Sequence, residues 1–269
     1  MSREDDRALR FYNEVLGLDH LHYGIWKEDD ELTLTNLKTA QLRYEDFLLE
    51  RIPAEAKLIL DVGCGTSAMS QRMVSLGFTV QGLSPDQTQK ENFVQNLNIP
   101  FHHCLFEDLQ IDEKFDCLVM SESAQYIPII RLFENAKRHL IPGGHILLCD
   151  YFVLDNANGL LAKSGHNYES FKTEAIKQGF ILIEEIDITD RVLKTLDVGL
   201  LLSQRILKGL EIVSEKSRKK HPWLTKIAFR IFRRKWLKLN EAKVLLNSNA
   251  FKVQKRYAYM LFQAPITDR

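Results

Sequence analysis

A chain of 269 residues that is 45% hydrophobic and 27% charged can bury one large core, which excludes a disordered chain or a disulfide-stapled miniprotein. Its 36 acidic and 36 basic residues balance, so bulk charge calls for neither a nucleic acid nor an acidic partner. The four cysteines (64, 104, 117 and 149) show no C-x-x-C spacing and read as reduced, mostly buried thiols, and no stretch approaches the roughly 18 apolar residues that span a bilayer.

The run from Arg3 to Arg7 is charged and contains no apolar signal segment, so a cytoplasmic location is expected. Residues 5–16 suit a short helix with Phe11, Tyr12, Val15 and Leu16 on its apolar face. Next comes Leu18-Asp19-His20-Leu21-His22-Tyr23-Gly24-Ile25-Trp26, dense in imidazoles and aromatics. In an extended conformation His20 and His22 share a face. The segment reads either as a loop packed under the first helix or as a lid over a ligand. Further metal ligands are not near it in sequence, so no metal is expected. Residues 34–50 form an amphipathic helix with Leu37, Leu42, Phe47 and Leu48 apolar, closed by Pro53.

The strand Leu58-Ile59-Leu60 runs into Asp61-Val62-Gly63-Cys64-Gly65-Thr66-Ser67-Ala68, a G-x-G-x-x-A turn ahead of a helix at 66–76. Small residues are needed there because the backbone turns tightly, a ligand approaches it and the next helix packs close. Such a turn cradles a nucleotide-like cofactor, and nicotinamide enzymes share it. A second strand, Phe78 to Leu83, ends in Ser84-Pro85-Asp86-Gln87. Nucleoside-binding enzymes place a ribose-binding acid at this strand end. Here Ser84 stands there, and Asp86 either reaches the ribose or caps a helix over 86–96.

A short third strand, Pro100 to Cys104, precedes Phe106-Glu107-Asp108-Leu109, a turn suited to stacking on a base. The fourth strand, Phe115 to Met120, ends in Ser121-Glu122-Ser123-Ala124-Gln125-Tyr126. A helix at 129–139, Pro142-Gly143-Gly144, a fifth strand from His145 to Tyr151, a helix at 168–178 and a strand at 180–186 follow. Strands alternating with helices imply an α/β sheet with right-handed crossovers. Residues 190–250 are helical, and Phe251 to Phe262 returns to a strand. Within the helical excursion, Lys216 to Lys238 is basic and interleaved with Trp223, Leu224, Ile227, Ile231, Phe232 and Trp236. It reads as a cap with its apolar face on the substrate pocket, or as an amphipathic element on an anionic membrane surface.

Residues 55–186 resemble a class I S-adenosylmethionine-dependent methyltransferase. The resemblance rests on Asp61-Val-Gly-Cys-Gly-Thr66, on Gly82-Leu-Ser-Pro85, on Phe115-Asp116 and on Leu140-Ile-Pro-Gly-Gly144. It implies a Rossmann-like sheet of seven strands whose last strand is antiparallel, with a helical cap. The corresponding division is a helical lid at 1–50, a cofactor-binding core at 51–189, a cap at 190–250 and the closing strand at 251–269. More narrowly, Asp19-His-Leu-His-Tyr-Gly24 and Glu122-Ser-Ala-Gln-Tyr-Ile-Pro128 resemble the tocopherol C-methyltransferase group and its small-molecule N-methyltransferase relatives. The chain departs from that group at Tyr126, where the group has a histidine, and at Ser84 and Leu105, where acids are expected.

The resemblance implies S-adenosylmethionine as cofactor. Asp61 would anchor the glycine loop and the cofactor's amino group, and Gly63, Cys64 and Gly65 would line its methionine portion. Ser84, Asp86 or Gln87 would meet the ribose, Phe106 and Glu107 the adenine, and Ser121 and Glu122 the methyl sulfonium. Any general base must reach the acceptor by hydrogen bond, which nominates His22 first, then His20, Tyr126 and Glu122. Tyr23, Trp26, Tyr151 and Phe152 suggest a small, partly apolar acceptor. No nucleic-acid partner is expected; a peripheral membrane contact through 216–238, and a monomer or homodimer, are. The competing readings are a nicotinamide oxidoreductase and a non-catalytic binding subunit with the same fold.

Overall fold

The computed structural model describes residues 17–18, 20, 22–220 and 243–266. The helix expected at 5–16 lies outside these residues. So does the basic stretch beyond residue 220, and with it the test of a membrane-facing cap.

Among the described residues, seven strands form one sheet: β1 (Leu58–Val62), β2 (Thr79–Leu83), β3 (Phe101–His102), β4 (Phe115–Ser121), β5 (Leu140–Val153), β6 (Ile181–Asp187) and β7 (Lys255–Gln263). The spatial order is β3-β2-β1-β4-β5-β7-β6. Pairing is parallel from β3 through β5, and β7 lies antiparallel between β5 and β6. The expected Rossmann-like sheet with an antiparallel last strand is therefore present. Chain order reverses between β1 and β4, and in such sheets a crevice opens beyond the strand ends at that point.

Alternation along the central strands divides the core into two layers. Leu60, Val62, Leu118 and Met120 face Phe133, Phe171 and Phe262 on one side. Ile59, Val119 and Leu147 face Tyr44, Phe47, Tyr257 and Tyr259 on the other. The first layer is closed by helices α4 (Ile129–His139) and α5 (Tyr168–Lys177), and the second by α1 (Leu34–Leu49). Local signals set the helix starts. The side chains of Thr33, Asp86 and Asn167 accept from the amides of Asn36, Gln89 and Ser170, capping α1, α3 (Gln87–Asn96) and α5. Helix α2 (Ala68–Ser75) follows the glycine turn.

Several features differ from expectation. Strand β5 starts at Leu140, because Pro142-Gly143-Gly144 is absorbed where the β4–β5 register slips between Phe115 and Cys117. Residues 251–254 are helical and belong to α7 (Ser248–Gln254), which Asn247 caps, so β7 begins only at Lys255. Leu42, expected on the apolar face of α1, is 45% exposed, whereas Gln41 and Glu45 are buried. The described part of the cap is mainly one helix, α6 (Thr189–Lys220). None of the described helices is long and apolar enough to cross a membrane. All four cysteines are free thiols.

The segment at 22–26 is wedged between α1 and α6. Ile25 N donates to Ala40 O at 2.8 Å and Trp26 N to Arg191 O at 2.9 Å. Thr195 Oγ1 accepts from Gly24 N at 3.1 Å and from Trp26 Nε1 at 2.9 Å. Gly24 permits this contact, since a Cβ there would stand 2.6 Å from Ala40 Cβ and 2.9 Å from Gln41 N. Gly24→Ala should therefore destabilise the protein by about 1–3 kcal/mol, as overpacking against backbone does. Gly209→Ala, on α6 with nothing within 4 Å of the added carbon, should stabilise it by a few tenths to about 1 kcal/mol. Urea unfolding of both variants checks this, and a neutral Gly24→Ala would contradict the wedge.

Candidate active site

A cavity of about 800 Å³ opens at the C-terminal ends of β1, β2 and β4, where the strand order reverses. Its floor is the glycine turn. Gly63 has φ +79° and Gly65 φ +54°, conformations that favour glycine. Gly63 N donates to Leu83 O at 2.7 Å, binding the turn to β2. A Cβ on Gly63 would come within 2.5 Å of Ser123 Cβ, so the turn also packs directly on the end of β4. Cys64 is buried, and burial raises its thiol pKa well above the ordinary value, which leaves it a neutral wall.

Asp61, next to last in β1, lines the cavity. Burial pushes its carboxyl up to about 6, against a 2.5 Å hydrogen bond donated by Ser70 Oγ. Ser84 and Asp86 also line the cavity, and both take part in the turn after β2. Ser84 Oγ accepts from Asp86 N at 3.1 Å, and Asp86 Oδ1 accepts from Gln89 N at 2.9 Å. Asp86 is thus a helix cap that also faces the cavity. Gln87 is not on the wall; its amide nitrogen bonds Glu91 at 2.8 Å, and Gln89 takes the wall position. Phe106, buried, and Glu107 border the far end in a turn of 3₁₀ helix. Tyr126 stands on the rim, 74% exposed.

The end of β4 carries the most constrained side chain of the site. Glu122 has φ +54°, which a non-glycine residue seldom adopts. Its Oε1 accepts from Tyr23 N at 2.6 Å and from Tyr257 OH at 2.5 Å. Desolvation pushes this half-buried carboxyl up to about 8, against both hydrogen bonds. Beside it, Ser121 Oγ lies 3.1 Å from Tyr44 OH.

His20 and His22 reach the cavity from the wedged segment, and Glu45 meets them from α1. Glu45 Oε1 is 2.8 Å from His20 Nδ1 and 3.2 Å from His22 Nε2. Burial opposes ionisation of Glu45, but the two imidazoles outweigh it and hold the carboxyl far below the usual range. Gln41 Nε2 donates to the His20 carbonyl at 3.1 Å and the His22 carbonyl at 2.8 Å, fixing the segment from the same helix. Glu45, like Gln89, is a site residue that the sequence reading missed. Its signal was a carboxylate on the buried stripe Leu37, Gln41, Tyr44 and Leu48 of α1.

Four aromatics expected around the acceptor do not line this cavity. Trp26 is buried with Leu18, Leu37, Ala40 and Val198 between α1 and α6. Phe152 is 1% exposed and packs on Phe171, with ring centroids 5.1 Å apart. Tyr23 and Tyr151 belong to a ring cluster with Phe251 behind Glu122.

A sheet reversing at β1/β4, an acid near the end of the first strand and a glycine turn flooring the crevice are features of class I S-adenosylmethionine-dependent methyltransferases, and the likenesses to known proteins indicate the same class. Residues 60–148 match the family described as Methyltransferase domain. The chain is 29% identical to the chloroplastic tocopherol O-methyltransferase of Arabidopsis thaliana over 166 residues, 51% of this chain and 47% of that protein. It is thus aligned with about half the length of that relative. It is 23% identical to a ubiquinone biosynthesis O-methyltransferase of Rickettsia akari over 209 residues, 68% of this chain and 80% of that one. Among solved structures, the fold is similar to a putative sarcosine dimethylglycine methyltransferase from Galdieria sulphuraria, with TM-score 0.70, 17% identity, and 97% and 99% of the two chains covered. It is equally similar to the [4+2]-cyclase SpnF, with TM-score 0.70, 18% identity, and 97% and 94% covered. The cofactor is S-adenosylmethionine.

The raised Glu122 carboxyl gives a signed expectation. The folded protein keeps a proton there from the ordinary 4.5 up to about 8, whereas the unfolded chain loses it near 4.5. Stability therefore falls as pH rises through that window, by up to about 1.4 kcal/mol per pH unit for this one group. Glu122→Gln, which retains an accepting oxygen, should remove that contribution and flatten the slope. Urea unfolding across the window measures it; an unchanged slope would contradict the assignment.

Proposed function

We propose that this chain transfers the methyl group of S-adenosylmethionine to a small, partly apolar acceptor, and that the acceptor is activated at the His20–His22–Glu45 cluster. The observation that carries the reading is one cavity bounded both by the glycine turn and by that cluster. The relatives' names support the acceptor class: tocopherol and ubiquinone biosynthesis O-methyltransferases, and a sugar N,N-dimethyltransferase of Saccharopolyspora spinosa.

The residues present suit the cofactor. Gly63 and Gly65 line the cavity with no side chains of their own, and Asp61 lines the same space. Asp61 would meet the amino group and the glycine turn the methionine portion. Ser84, Asp86 and Gln89 would meet the ribose, and Phe106 with Glu107 the adenine. Bound there, S-adenosylmethionine supplies a methyl carbon on a sulfonium leaving group. The chain's own task is positioning: the acceptor must be held in line, about 3–3.5 Å from that carbon, with water excluded. Ser121 and Glu122 would border the methyl-bearing end, and Tyr126 on the rim would wall the acceptor. A carboxylate at Glu122 favours the sulfonium charge. The His20–His22–Glu45 cluster is the polar group available to an acceptor hydroxyl or amine.

The test is formation of S-adenosylhomocysteine with a panel of phenolic, hydroquinone and amino-sugar acceptors. Turnover is expected with at least one, and Asp61→Ala should lower kcat/KM on the order of 100-fold, the worth of one charged hydrogen bond. No turnover on any acceptor, with tight cofactor binding, would favour the non-catalytic reading. Undiminished turnover in Asp61→Ala would overturn the cofactor placement.

A further inference from the structure

We propose that His20, His22 and Glu45 form a binding site for a first-row divalent transition-metal cation at the acceptor end of the cavity. One ligand atom from each residue can be chosen so that all three lie within 4.8 Å of one another. Two imidazoles and one carboxylate are a donor set for zinc, manganese, iron or cobalt rather than for magnesium or calcium, which take oxygen ligands. A tetrahedral ion with bonds of about 2.0–2.2 Å separates its ligands by roughly 3.3–3.5 Å. The observed 2.8 and 3.2 Å need only small shifts to reach that spacing.

The hydrogen bonds around the three groups carry the inference further. The Tyr23 carbonyl can only accept, so the 2.8 Å contact from His22 Nδ1 puts the proton on that nitrogen. The other ring nitrogen of His22, Nε2, faces Glu45 Oε1, 3.2 Å away. An imidazole nitrogen and a carboxylate oxygen approach this closely with a proton or a metal cation between them. His20 Nδ1 lies 2.8 Å from the same oxygen, is buried, and makes no hydrogen bond. Two imidazole nitrogens and one carboxylate oxygen thus converge on one point, and one of the nitrogens is buried without a hydrogen-bond partner. The outer contacts are those that orient metal ligands: a ring N–H on a backbone carbonyl, and a carboxylate whose second oxygen is held elsewhere. Arg72 Nη1 binds Glu45 Oε2 at 3.0 Å and leaves Oε1 to the two histidines. His22 is further fixed by stacking on Tyr44, with centroids 4.5 Å apart.

All three residues line the cavity, so three protein ligands leave a coordination position open toward it, the arrangement of catalytic rather than structural sites. A cation there sets a fixed positive charge where the acceptor enters and favours acceptors that present an oxygen. That consequence rests on the methyl-transfer reading, whereas binding of the cation does not.

The test uses the full chain, untagged and stripped with chelator. Calorimetric titration with zinc should give one site per chain, with Kd about micromolar or tighter, weakened at least roughly 100-fold in Glu45→Gln and in His20→Gln/His22→Gln. Variants are accepted as folded by circular dichroism and by S-adenosylhomocysteine binding. A second measurement needs no variant: cobalt added to the stripped wild type should give the intense visible absorption of a four-coordinate, nitrogen-ligated ion. No one-to-one zinc site, a weak six-coordinate cobalt spectrum, or zinc binding unchanged in the double variant would overturn the site in favour of a charged imidazole beside Glu45. Because the readout is binding, failure here is distinct from failure of methyl transfer.

Discussion

Much of the site depends on one carboxyl group. Glu122 sits where β4 leaves the sheet, in a backbone conformation that costs on the order of 1 kcal/mol for a residue with a Cβ. Its Oε1 joins three parts of the chain far apart in sequence: β4 itself, the wedged segment through Tyr23 N, and β7 through Tyr257 OH. Without that junction, the segment carrying His20 and His22 would keep its hydrogen bonds to α1 and α6 and the ring contacts of Tyr23, but lose the hydrogen bonds of Glu122 that tie it to the end of β4. Ser123, one residue further on, packs against the glycine turn. The same short stretch therefore supports the cofactor floor and orients the opposite wall.

The electrostatics divide the cavity. Burial raises the carboxyls of Asp61 to about 6 and of Glu122 to about 8, so both resist ionisation by themselves. Nearby Asp150 is pushed up to about 7 by the same cause. Glu45, equally out of water, is held low by its two imidazoles. A cationic ligand beside Asp61 and Glu122 would favour their charged forms, because an opposite charge at close range outweighs part of the desolvation. The wall of raised acids suits a sulfonium cofactor, and the ionised Glu45 marks a second place where positive charge belongs.

Much of this was legible in the sequence, and the rest follows a physical pattern. The glycine turn, the parallel strands and the antiparallel last strand could be read because each rests on local chemistry: small residues at a tight turn, short apolar runs, capping side chains. Asp86 showed the limit of that reading, since its capping bond is local while its exposure to the cavity is not. Glu45 was hidden because its partners stand 23 and 25 residues away and meet it only after α1 packs on the segment. Trp26 and Phe152 were drawn toward the acceptor by composition, yet large aromatics serve the core as often as a pocket, and here packing against α6 and α5 claimed them. The slip that lengthens β5 and the short helix before β7 are matters of register and capping between neighbouring elements, which hydrophobic periodicity does not record.

The central claim is that Glu122 fastens the histidine-bearing segment onto the cofactor cavity. Amide hydrogen exchange at residues 22–26, compared between the wild type and Glu122→Ala with S-adenosylhomocysteine bound, tests it most directly. The account predicts that Tyr23 and its neighbours lose protection by about tenfold, the effect of one buried hydrogen bond. The amides of β4 and β5 should keep theirs. Equal protection of the segment in both proteins would contradict it.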